Sequence, residues 1–585
     1  MLSLKSITDY PRNLQENVDF RLKLYQACEV DIKLQEDMRI LCKKDMLLWI
    51  DLFTWTKDQR RKPDILPFIS YDYQRDYIKK VKQAIDGHED LLTEKSRDMG
   101  ASWMILYVFT HFWLFENGSD FRVGSRKEDF VDKLNDIDTL LEKVRFNLLR
   151  QPLWLLPRGF NSVEHCAYMR IINPENGNAI IGESANPHFA SGGRRKAILM
   201  DELAKWDDTV AEAAWTATAD VSPCRLPIST PVGSGNKFAL LAAGTKEKIE
   251  KTTLHWTLHP EKAKGAYYLD NGVKIPIEEP QKAFSLWKHG SKVRSPWYDA
   301  EAERRSEADL AQEVDIDYLR SGFPFFSLKA LSNQKAWEYI QRKQPSDPIP
   351  FRYFIKANLV SIDNGVELRE FENGWLRIFE LPKKGLQYVC SADTSEGLVK
   401  GDESFLVVRD KWTRNIIAAA NGHYQPSDFV IKIQLAGKFY NNADVAPENN
   451  NHGFSVCQDL MTMDCKLFWT KRISPDGQQT IVKAGWTTDA RTRPLMLDQL
   501  EEEIRAGATE LRDDALISQC KTFVCNQKNG RPEADGSFLD DGVIACAIGG
   551  AIIRELPFKP CPHSRESEAL QRLRIKEHLR PVFRF

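Results

Sequence analysis

Several features that mark specialised classes of protein are scarce or missing in this sequence. Its 83 acidic and 81 basic side chains give a formal net charge of -2, so bulk charge offers no reason to bind nucleic acid or membranes. The longest apolar stretches, 103–115 and 543–553, are shorter than the roughly 20 residues that cross a bilayer. No signal peptide, low-complexity tract or internal repeat is visible. These absences predict a cytoplasmic protein that is neither secreted nor bound to a membrane.

The cysteines also lack a pattern. There are 11 of them, scattered from Cys28 to Cys561, with no CxxC pair. An odd number without metal-ligand spacing argues against a disulfide framework and against a zinc ribbon. We therefore expect reduced thiols in a cytosolic compartment.

What the sequence does contain is ordinary globular composition over the length of several domains. The 585 residues are 42% apolar and 28% charged, and at about 150 residues per domain the length predicts two to four domains. Residues 17–56 show the apolar spacing of amphipathic helices. From about 60 to 245, short apolar strands alternate with helical patterns, which is typical of a parallel sheet with crossover helices. A second strand-rich block begins near Phe371 and ends in a helix around Leu556.

Residues 95–102, KSRDMGAS, lie between an apolar strand pattern and a long helix pattern. Gly100 and Ser102 match the P-loop motif GxxxxGK[ST], in which a loop at the head of a helix holds phosphates. The usual lysine position is occupied by Ala101, and the ammonium group is displaced to Lys95 at the entry of the loop. From there its four-carbon side chain still reaches a bound phosphate. Taken alone the match is weak, and a loop without function is the alternative.

Three further segments favour a nucleotide site in this block. Residues 197–202, AILMDE, form an apolar strand that ends in Asp201, suited to Mg²⁺, and Glu202, suited to orient an attacking water. Residues 228–233, ISTPVG, are a strand that ends in polar residues or a simple turn exit. Gln74 carries an amide that reads an adenine edge, although alone it is better explained as a surface residue. The order of the four segments makes the set persuasive.

Acidic residues also stand at strand ends or helix starts in the second block. Asp393 ends one apolar strand, Glu448 follows another, and Asp540 and Asp541 precede an apolar helix. Such carboxylates can converge at one sheet edge and hold two cations about 4 Å apart, which suits hydrolysis of a phosphodiester. The alternatives are solvated loop acids and, for the pair, a helix N-cap. Asp402 is a weaker candidate and is better explained as a turn residue.

Together these motifs resemble the large terminase subunit of tailed bacteriophages, a DNA-packaging ATPase and nuclease. KSRDMGAS is similar to the family's deviant P-loop, LMDE to its Walker B segment and STP to its coupling motif. PENNNHG, the Asp pair with its helix, and GWTTDARTRPLMLDQL are similar to its nuclease segments. The resemblance implies an α/β fold: an ASCE (RecA-like) P-loop ATPase domain with a mainly parallel sheet, followed by an RNase H-like nuclease domain. The expected regions are a helical segment (1–59), the ATPase domain with a lid or linker subdomain (60–340), a linker (341–370), the nuclease domain (371–558) and a basic tail (559–585).

The resemblance also assigns residues to both sites. ATP would be bound by Gln74, Lys95, Ser96, Arg97, Gly100, Ala101 and Ser102. Its Mg²⁺ would be held by Ser102 and Asp201, and Glu202 would activate water. Coupling of hydrolysis to movement would fall to Ser229, Thr230 and Pro231. Two Mg²⁺ or Mn²⁺ ions would be held by Asp393, Glu448, Asp540 and Asp541.

Two assignments stay open in the sequence. The family's usual histidine before the Asp pair is Leu539 here, so either Asp540 or Asp541 is the inner ligand. The arginine that completes the ATPase site is expected to be Arg194. The alternatives are Arg195 and Arg126, and each of the three is as well explained by contact with a DNA phosphate.

The implied function is a motor that packages double-stranded DNA into a procapsid and an endonuclease that cuts concatemeric DNA at the start and end of packaging. The implied partners are a portal protein, a small terminase subunit and further copies of the chain in a ring, expected to be pentameric, in the host cytoplasm. The tail after Lys559 is a candidate for portal docking, with a disordered tail as the alternative. One rival is a repair helicase–nuclease, which normally has two RecA-like lobes, whereas one P-loop is found. The other is a DNA-binding scaffold with inactive sites, which both carboxylate sets disfavour.

Overall fold

The structure is a computed structural model. It describes residues 7–58, 60–244, 249–270, 273–363, 365–398, 401–450, 453–473, 480–526, 530–536 and 538–556. The chain divides into two compact units, Met1–Gly322 and Phe323–Phe585. The predicted basic tail lies outside the described residues. Within the described part of the chain, no helix has the length and apolar character needed to cross a bilayer.

The first unit is a mixed α/β structure. Its helices are α1 (Leu14–Val30), α2 (Ile32–Lys44), α3 (Met46–Phe53), α4 (Asp72–Gly87), α5 (Ala101–Phe115), α6 (Glu128–Val131), α7 (Leu140–Leu148), α8 (Ser162–His165), α9 (Asp208–Ala217), α10 (Lys237–Ala243), α11 (Pro280–Lys288), α12 (Pro296–Arg304) and α13 (Glu307–Leu310). Its strands are β1 (Trp55–Lys57), β2 (Ile65–Pro67), β3 (Leu91–Lys95), β4 (Phe121–Ser125), β5 (Cys166–Ala167), β6 (Arg170–Ile172), β7 (Ala179–Ser184), β8 (Ala197–Asp201), β9 (Arg225–Ser229), β10 (Glu250–Leu254), β11 (Tyr267–Asp270), β12 (Val273–Pro276) and β13 (Val293–Arg294). Shorter turns are 3-10 helical at Leu203–Lys205 and Trp256–Leu258 and π-helical at Ala311–Asp315.

The central sheet of this unit has the strand order β10-β3-β9-β8-β4-β7-β6-β5. Neighbours from β10 to β7 run parallel, and only β6 and β5 are antiparallel. One strand, β9, lies between β3, which leads into the P-loop-like turn, and β8, which ends at Asp201. That intervening strand is the feature for which the ASCE class is named. Because the strands are parallel, the carboxyl ends of β3, β9 and β8 lie side by side at one edge, where ligands bind in open α/β sheets.

The predicted helical segment at the N-terminus packs into the core of the first unit. The single helical pattern is divided into α1, α2 and α3 because Asp31 and Asp45 each accept hydrogen bonds from the amides that open the next helix. Trp49 and Phe53 of α3 are fully buried in the same core as α5. The segment is therefore part of the ATPase-like unit.

A small subdomain follows β10. Strands β12, β11 and β13 form an antiparallel sheet, and this sheet packs with α11 around its own apolar cluster, which includes Trp256, Ile277 and Val293. The chain then passes through α12, α13 and the π-helical turn. This is the position at which the lid was expected.

The second unit is built on one large sheet. Its helices are α14 (Leu328–Asn333), α15 (Pro426–Phe439), α16 (Gly453–Thr462), α17 (Thr492–Arg505), α18 (Asp514–Lys521) and α19 (Asp541–Glu555). Its strands are β14 (Glu338–Tyr339), β15 (Tyr353–Ile362), β16 (Gly365–Glu370), β17 (Leu376–Ile378), β18 (Tyr388–Asp393), β19 (Ser404–Asp410), β20 (Ile416–Gly422), β21 (Asp444–Pro447), β22 (Lys466–Leu467), β23 (Trp469–Ile473), β24 (Thr480–Ala484), β25 (Phe523–Cys525) and β26 (Pro532–Ala534).

The second sheet has the strand order β14-β15-β17-β20-β19-β18-β21-β22, with β16 paired to β15. Strands β18, β19 and β20 form an antiparallel meander, while β21 and β22 run parallel to β18. This is an RNase H-like arrangement. Helix α19 packs closely on β18, since a Cβ atom at Gly549 would lie 2.7 Å from Ser391 Oγ.

The division after Gly322 differs from the predicted boundary at 340. Phe325 and Phe326 each pack against Phe523, with ring centroids 5.7 Å apart, so the residues directly after the division belong to the core of the second unit. The predicted linker, 341–370, contains β15 and β16, which extend the second sheet. Its Pro-rich start, SDPIP, hid this strand pair from the sequence reading.

Candidate functional site

The turn after β3 forms an anion site at the start of α5. Gly100 is the N-cap of α5 and has a φ of 80°, a left-handed conformation that favours glycine. No side chain accepts a hydrogen bond from the first amides of the helix. Such an end attracts phosphate through its N–H groups and the helix dipole.

The charged residues predicted for this site lie together. Lys95 Nζ is 2.8 Å from Glu202 Oε1, and Ser102 Oγ donates a hydrogen bond to Asp201 Oδ1 at 2.8 Å. The proximity of the P-loop lysine to the paired carboxylates is thereby confirmed. Binding of ATP and Mg²⁺ by these residues stays a prediction.

The second oxygen of Glu202 contacts a residue that the sequence analysis missed. Lys205 Nζ lies 2.9 Å from Oε2, and Ser229 Oγ donates to the same oxygen at 3.4 Å. Burial raises the pKa of Glu202, but Lys95 and Lys205 outweigh burial and hold that pKa below its ordinary value. Glu202 is therefore a charged carboxylate with both oxygens bound. Burial and the adjacent Glu202 raise the pKa of Asp201.

Glu313, in the π-helical turn, contacts both sides of this cluster. Its Oε1 lies 3.3 Å from Lys205 Nζ, and its Oε2 lies 3.4 Å from Nη1 of Arg97 in the P-loop-like turn. The backbone N–H of Arg97 also donates to Glu313 O at 2.7 Å. No sequence signal pointed to Glu313.

The chain that follows Glu313 continues along the same edge. Tyr318 OH donates to Glu94 Oε2 at 3.1 Å, one residue before Lys95. Ser321 Oγ accepts a hydrogen bond from the backbone N–H of Gly233 at 3.1 Å, in the turn after β9. Residues 311–321, which we call the closing segment, therefore touch β3, the P-loop-like turn and the turn after β9.

Ser96 does not fit its predicted contact with ATP. Its hydroxyl donates to Val314 O at 2.6 Å and accepts from Trp256 N at 3.0 Å. Its backbone N–H donates to Leu254 O at 2.9 Å. With these groups engaged, Ser96 ties the turn to β10 and to the closing segment.

Gln74 lies in a cleft of about 660 Å³ beside Gly100. Its Oε1 accepts a hydrogen bond from Tyr71 N at 3.0 Å, which leaves the amide nitrogen as a donor. Tyr71 and His259 line the cleft with their rings 5.1 Å apart, and Trp103 lines it as well. Aromatic faces with one amide donor suit a purine base.

The predicted coupling residues follow β9 directly. Ser229 contacts Glu202 as described, and Pro231 is buried. Thr230 Oγ1 is buried without a hydrogen-bond partner among the described residues. Their coupling role stays a prediction.

The candidate arginines lie at different edges of the first sheet. Arg126 follows β4 at the carboxyl edge, is exposed and stacks on Phe130, 4.7 Å from the ring centroid. Arg194 and Arg195 precede β8, so the length of that strand, about 16 Å, separates them from Asp201. Arg195 donates to Arg194 O at 2.8 Å, and Arg194 is exposed. Arg194 is thus placed for contact with another molecule, not with the site of its own chain.

In the second unit, the four predicted carboxylates line one cleft of about 410 Å³. Asp393 is the last residue of β18, and Glu448 follows β21, where its N–H donates to Ala392 O at 2.8 Å. Asp541 opens α19, and Asp540 precedes it without capping the helix by its side chain. Their predicted convergence at one sheet edge is confirmed.

This cleft has little positive charge. Burial, then Glu448 and Asp541, raise the pKa of Asp393 well above its ordinary value. Burial, Asp402 and Asp540 raise the pKa of Asp541 to about 7. Asp541 Oδ2 is buried without a hydrogen-bond partner among the described residues.

The donor chemistry of the cleft fits a hard divalent cation, because it consists of carboxylate oxygens, one of them buried and unpartnered. Their spacing is wider than a closed metal site. Within the described ranges, no three acidic, histidine or cysteine side chains are arranged closely enough to hold one ion. Mutual repulsion of like charges is a sufficient reason for this separation.

Two residues of the cleft were missed or undervalued. Arg493 Nη2 lies 3.1 Å from Asp540 Oδ2 and is the one basic side chain that lines the cleft in the described residues. It sits in the GWTTDARTRPLMLDQL run, which was the available signal. Asp402 lines the cleft as well and is more than a turn residue.

Comparison with known proteins gives structural likenesses only. No protein-family model matches the chain, and no curated protein matches it. The crystal structure of the bacteriophage HK97 large terminase is similar with a TM-score of 0.40 and 12% identity, over 87% of this chain and 99% of that chain. A large terminase from a thermophilic bacteriophage, in complex with ADP, gives 0.30 and 9%, over 82% and 97%. The cobalt-bound large terminase nuclease of the thermophilic phage G20c gives 0.28 and 15%, over 39% and 97%.

The chain resembles the large terminases of bacteriophages. At these identities and TM-scores the resemblance adds no argument about residues, and the fold assignment rests on the two strand orders described above.

Proposed function

We propose that this protein is the motor and nuclease of viral DNA packaging. ATP hydrolysis in the first unit would drive double-stranded DNA into a procapsid, and a metal-dependent endonuclease in the second unit would cut concatemeric DNA at initiation and termination. The observation that carries the proposal is the presence of two separate sites in one chain. Lys95, Ser102, Asp201 and Glu202 meet in an ASCE sheet, and four carboxylates meet in an RNase H-like sheet.

In the first site, each residue has a separate task. The amides at the start of α5 and Lys95 bind the phosphates, while Ser102 and Asp201 would hold Mg²⁺, which when bound neutralises phosphate charge. Glu202 accepts a hydrogen bond from the attacking water and orients it toward the phosphorus atom. Gln74 and the aromatic rings beside it hold the base.

In the second site, Asp393, Glu448, Asp540 and Asp541 would hold one or two divalent cations. When bound, such ions lower the pKa of water and stabilise charge on the scissile phosphate. Arg493 is placed to contact a DNA phosphate at the rim and to hold Asp540 in position. Asn450 donates to Glu448 Oε1 at 3.3 Å and thereby fixes that carboxylate.

The proposed assembly is a ring, expected to be pentameric, on a portal protein with a small terminase subunit as partner. A ring supplies by multivalency the DNA affinity that a chain of net charge -2 lacks. Arg194, exposed at the far edge of the sheet, would then act on the site of a neighbouring copy.

The decisive experiment compares two ATP-driven activities of the full chain. Procapsids, small subunit and linear duplex are mixed with the protein, and DNA protected from added nuclease is measured. Strand displacement on a forked duplex is measured in parallel. We expect ATP-dependent protection without strand displacement, and loss of protection in Lys95→Ala.

Strand displacement without packaging would contradict the proposal and favour a repair helicase–nuclease. Lys205 is excluded from this test, and Lys237→Met serves as the matched control because Lys237 is buried in the same unit but pairs with Glu212, 3.2 Å away. That control should package normally.

A further inference from the structure

Glu202 is held by two lysines that differ in what anchors them. Lys95 Nζ contacts Oε1 at 2.8 Å, and Lys205 Nζ contacts Oε2 at 2.9 Å. Lys95 belongs to the phosphate-binding turn, so a triphosphate competes with Glu202 for it. Lys205 belongs to the 3-10 turn that directly follows Glu202 and has no such competitor.

Lys205 is in turn fixed by Glu313. Its Nζ lies 3.3 Å from Glu313 Oε1, and the Glu313 side chain is only 9% exposed. Gln312 Nε2 donates to the same oxygen at 2.8 Å. A buried ion pair fixed by further hydrogen bonds holds its geometry better than one in open solvent.

We propose that Lys205 and Glu313 are positioning residues for Glu202. They keep Oε2 in place when the triphosphate draws Lys95 away, so that only Oε1 is released to accept a hydrogen bond from the attacking water. The inference rests on the proposed ATPase function of this site.

Glu202 needs such a constraint. Its backbone is left-handed, with a φ of 54°, and its side chain has three rotatable bonds whose ordering has an entropic cost. Ser229 alone, at 3.4 Å, is a weak restraint. A displacement of about 1 Å at a catalytic group lowers rates by about 10²-fold.

Glu313 also gives the pair a second contact with the nucleotide site. Its other oxygen lies 3.4 Å from Arg97 Nη1. Arg97 and Lys205 therefore share one carboxylate, and withdrawal of Arg97 toward a phosphate leaves Glu313 wholly to Lys205. Triphosphate binding would then strengthen the hold on Glu202.

The test is steady-state ATP hydrolysis by the full chain, with nucleotide affinity measured separately by equilibrium binding of a fluorescent ATP analogue. We expect Lys205→Met to lower kcat by about 30- to 100-fold and to change the dissociation constant by less than about threefold. Lys205→Arg should regain most of the rate, and Glu313→Gln should lose about 5- to 10-fold. Lys196→Met is the matched control, since Lys196 is 22% exposed, pairs with Glu116 and lies away from the site, while Lys205 is 21% exposed.

Wild-type kcat in Lys205→Met would overturn the inference, and so would an equal loss of kcat and of nucleotide affinity. If Lys205→Met does not fold by circular dichroism, Lys205→Arg and Glu313→Gln decide by the same split between kcat and affinity. Absence of ATP hydrolysis in the wild-type protein, with Glu202→Gln indistinguishable from it, would instead refute the proposed function.

Discussion

The two sites both collect acidic side chains at strand ends, yet they balance this charge in opposite ways. In the first unit, Glu202 is bound by Lys95 and Lys205, and its pKa is held low. In the second, the cleft has Arg493 as its one described basic residue, and the pKa values of Asp393 and Asp541 are raised. The first site thus carries cations of its own, whereas the second is complete only when cations are supplied from solution.

The sharpest way to break this comparison is a reciprocal pair of substitutions. Glu202→Ala should lower ATP hydrolysis by roughly 10³-fold, about 4 kcal/mol of transition-state stabilisation, while DNA nicking survives. Asp393→Ala should abolish nicking by a similar factor while ATP hydrolysis survives. Phosphate release and conversion of supercoiled plasmid measure the two activities. Loss of both activities in one folded variant would show that the sites are not separate.

Acid pH should distinguish the units next, because the fully buried histidines of the described chain lie in the first. Burial lowers the pKa of His111 to about 4, and its Nε2 contacts Cys42 O at 2.8 Å. The neutral ring is favoured in the folded state, so its contribution is complete above pH 6.5 and is lost as the pH falls toward 4. The loss should reach about 3 kcal/mol.

The measurement is urea unfolding of wild type and His111→Phe between pH 4 and 7.5. At neutral pH the variant should be the less stable, since it lacks the bond to Cys42. Near pH 4 the order should reverse. The exposed His188, changed to Gln, is the control and should follow wild type; a parallel pH dependence in His111→Phe would contradict this reading.

A smaller effect on the second site alone is expected from Gly453→Ala. A Cβ atom at Gly453 would lie 1.9 Å from Glu448 O, so the backbone that carries this carboxylate must shift. We expect nicking to fall by about 10²-fold with ATP hydrolysis unchanged. Gly192→Ala is the matched control, because nothing lies within 4 Å of its added methyl group. Unchanged nicking would mean that Glu448 tolerates displacement.

Local patterns predicted the parts of the fold that short-range physics determines. The apolar segments at 91–95 and 197–201 are strands β3 and β8, and their polar ends lie together because parallel strands end at a common edge. Contacts between distant segments left no signal. Glu313 meets Lys205 across 108 residues of chain, and neither residue belongs to a motif. The boundary at Gly322 was misplaced for the same reason, since the packing of Phe325 on Phe523 is invisible in either segment alone.

The contacts of the closing segment also determine where the first unit can be cut from the second. A fragment that stops before Glu313 would leave Arg97 and Lys205 without their common carboxylate and Glu94 without Tyr318. A fragment that runs through Gly322 keeps all three, together with the bond from Gly233 to Ser321. The stretch that reads as a tether between two domains is therefore the last wall of the nucleotide pocket, and shortening it would damage the ATPase-like half before it ever loosened the join.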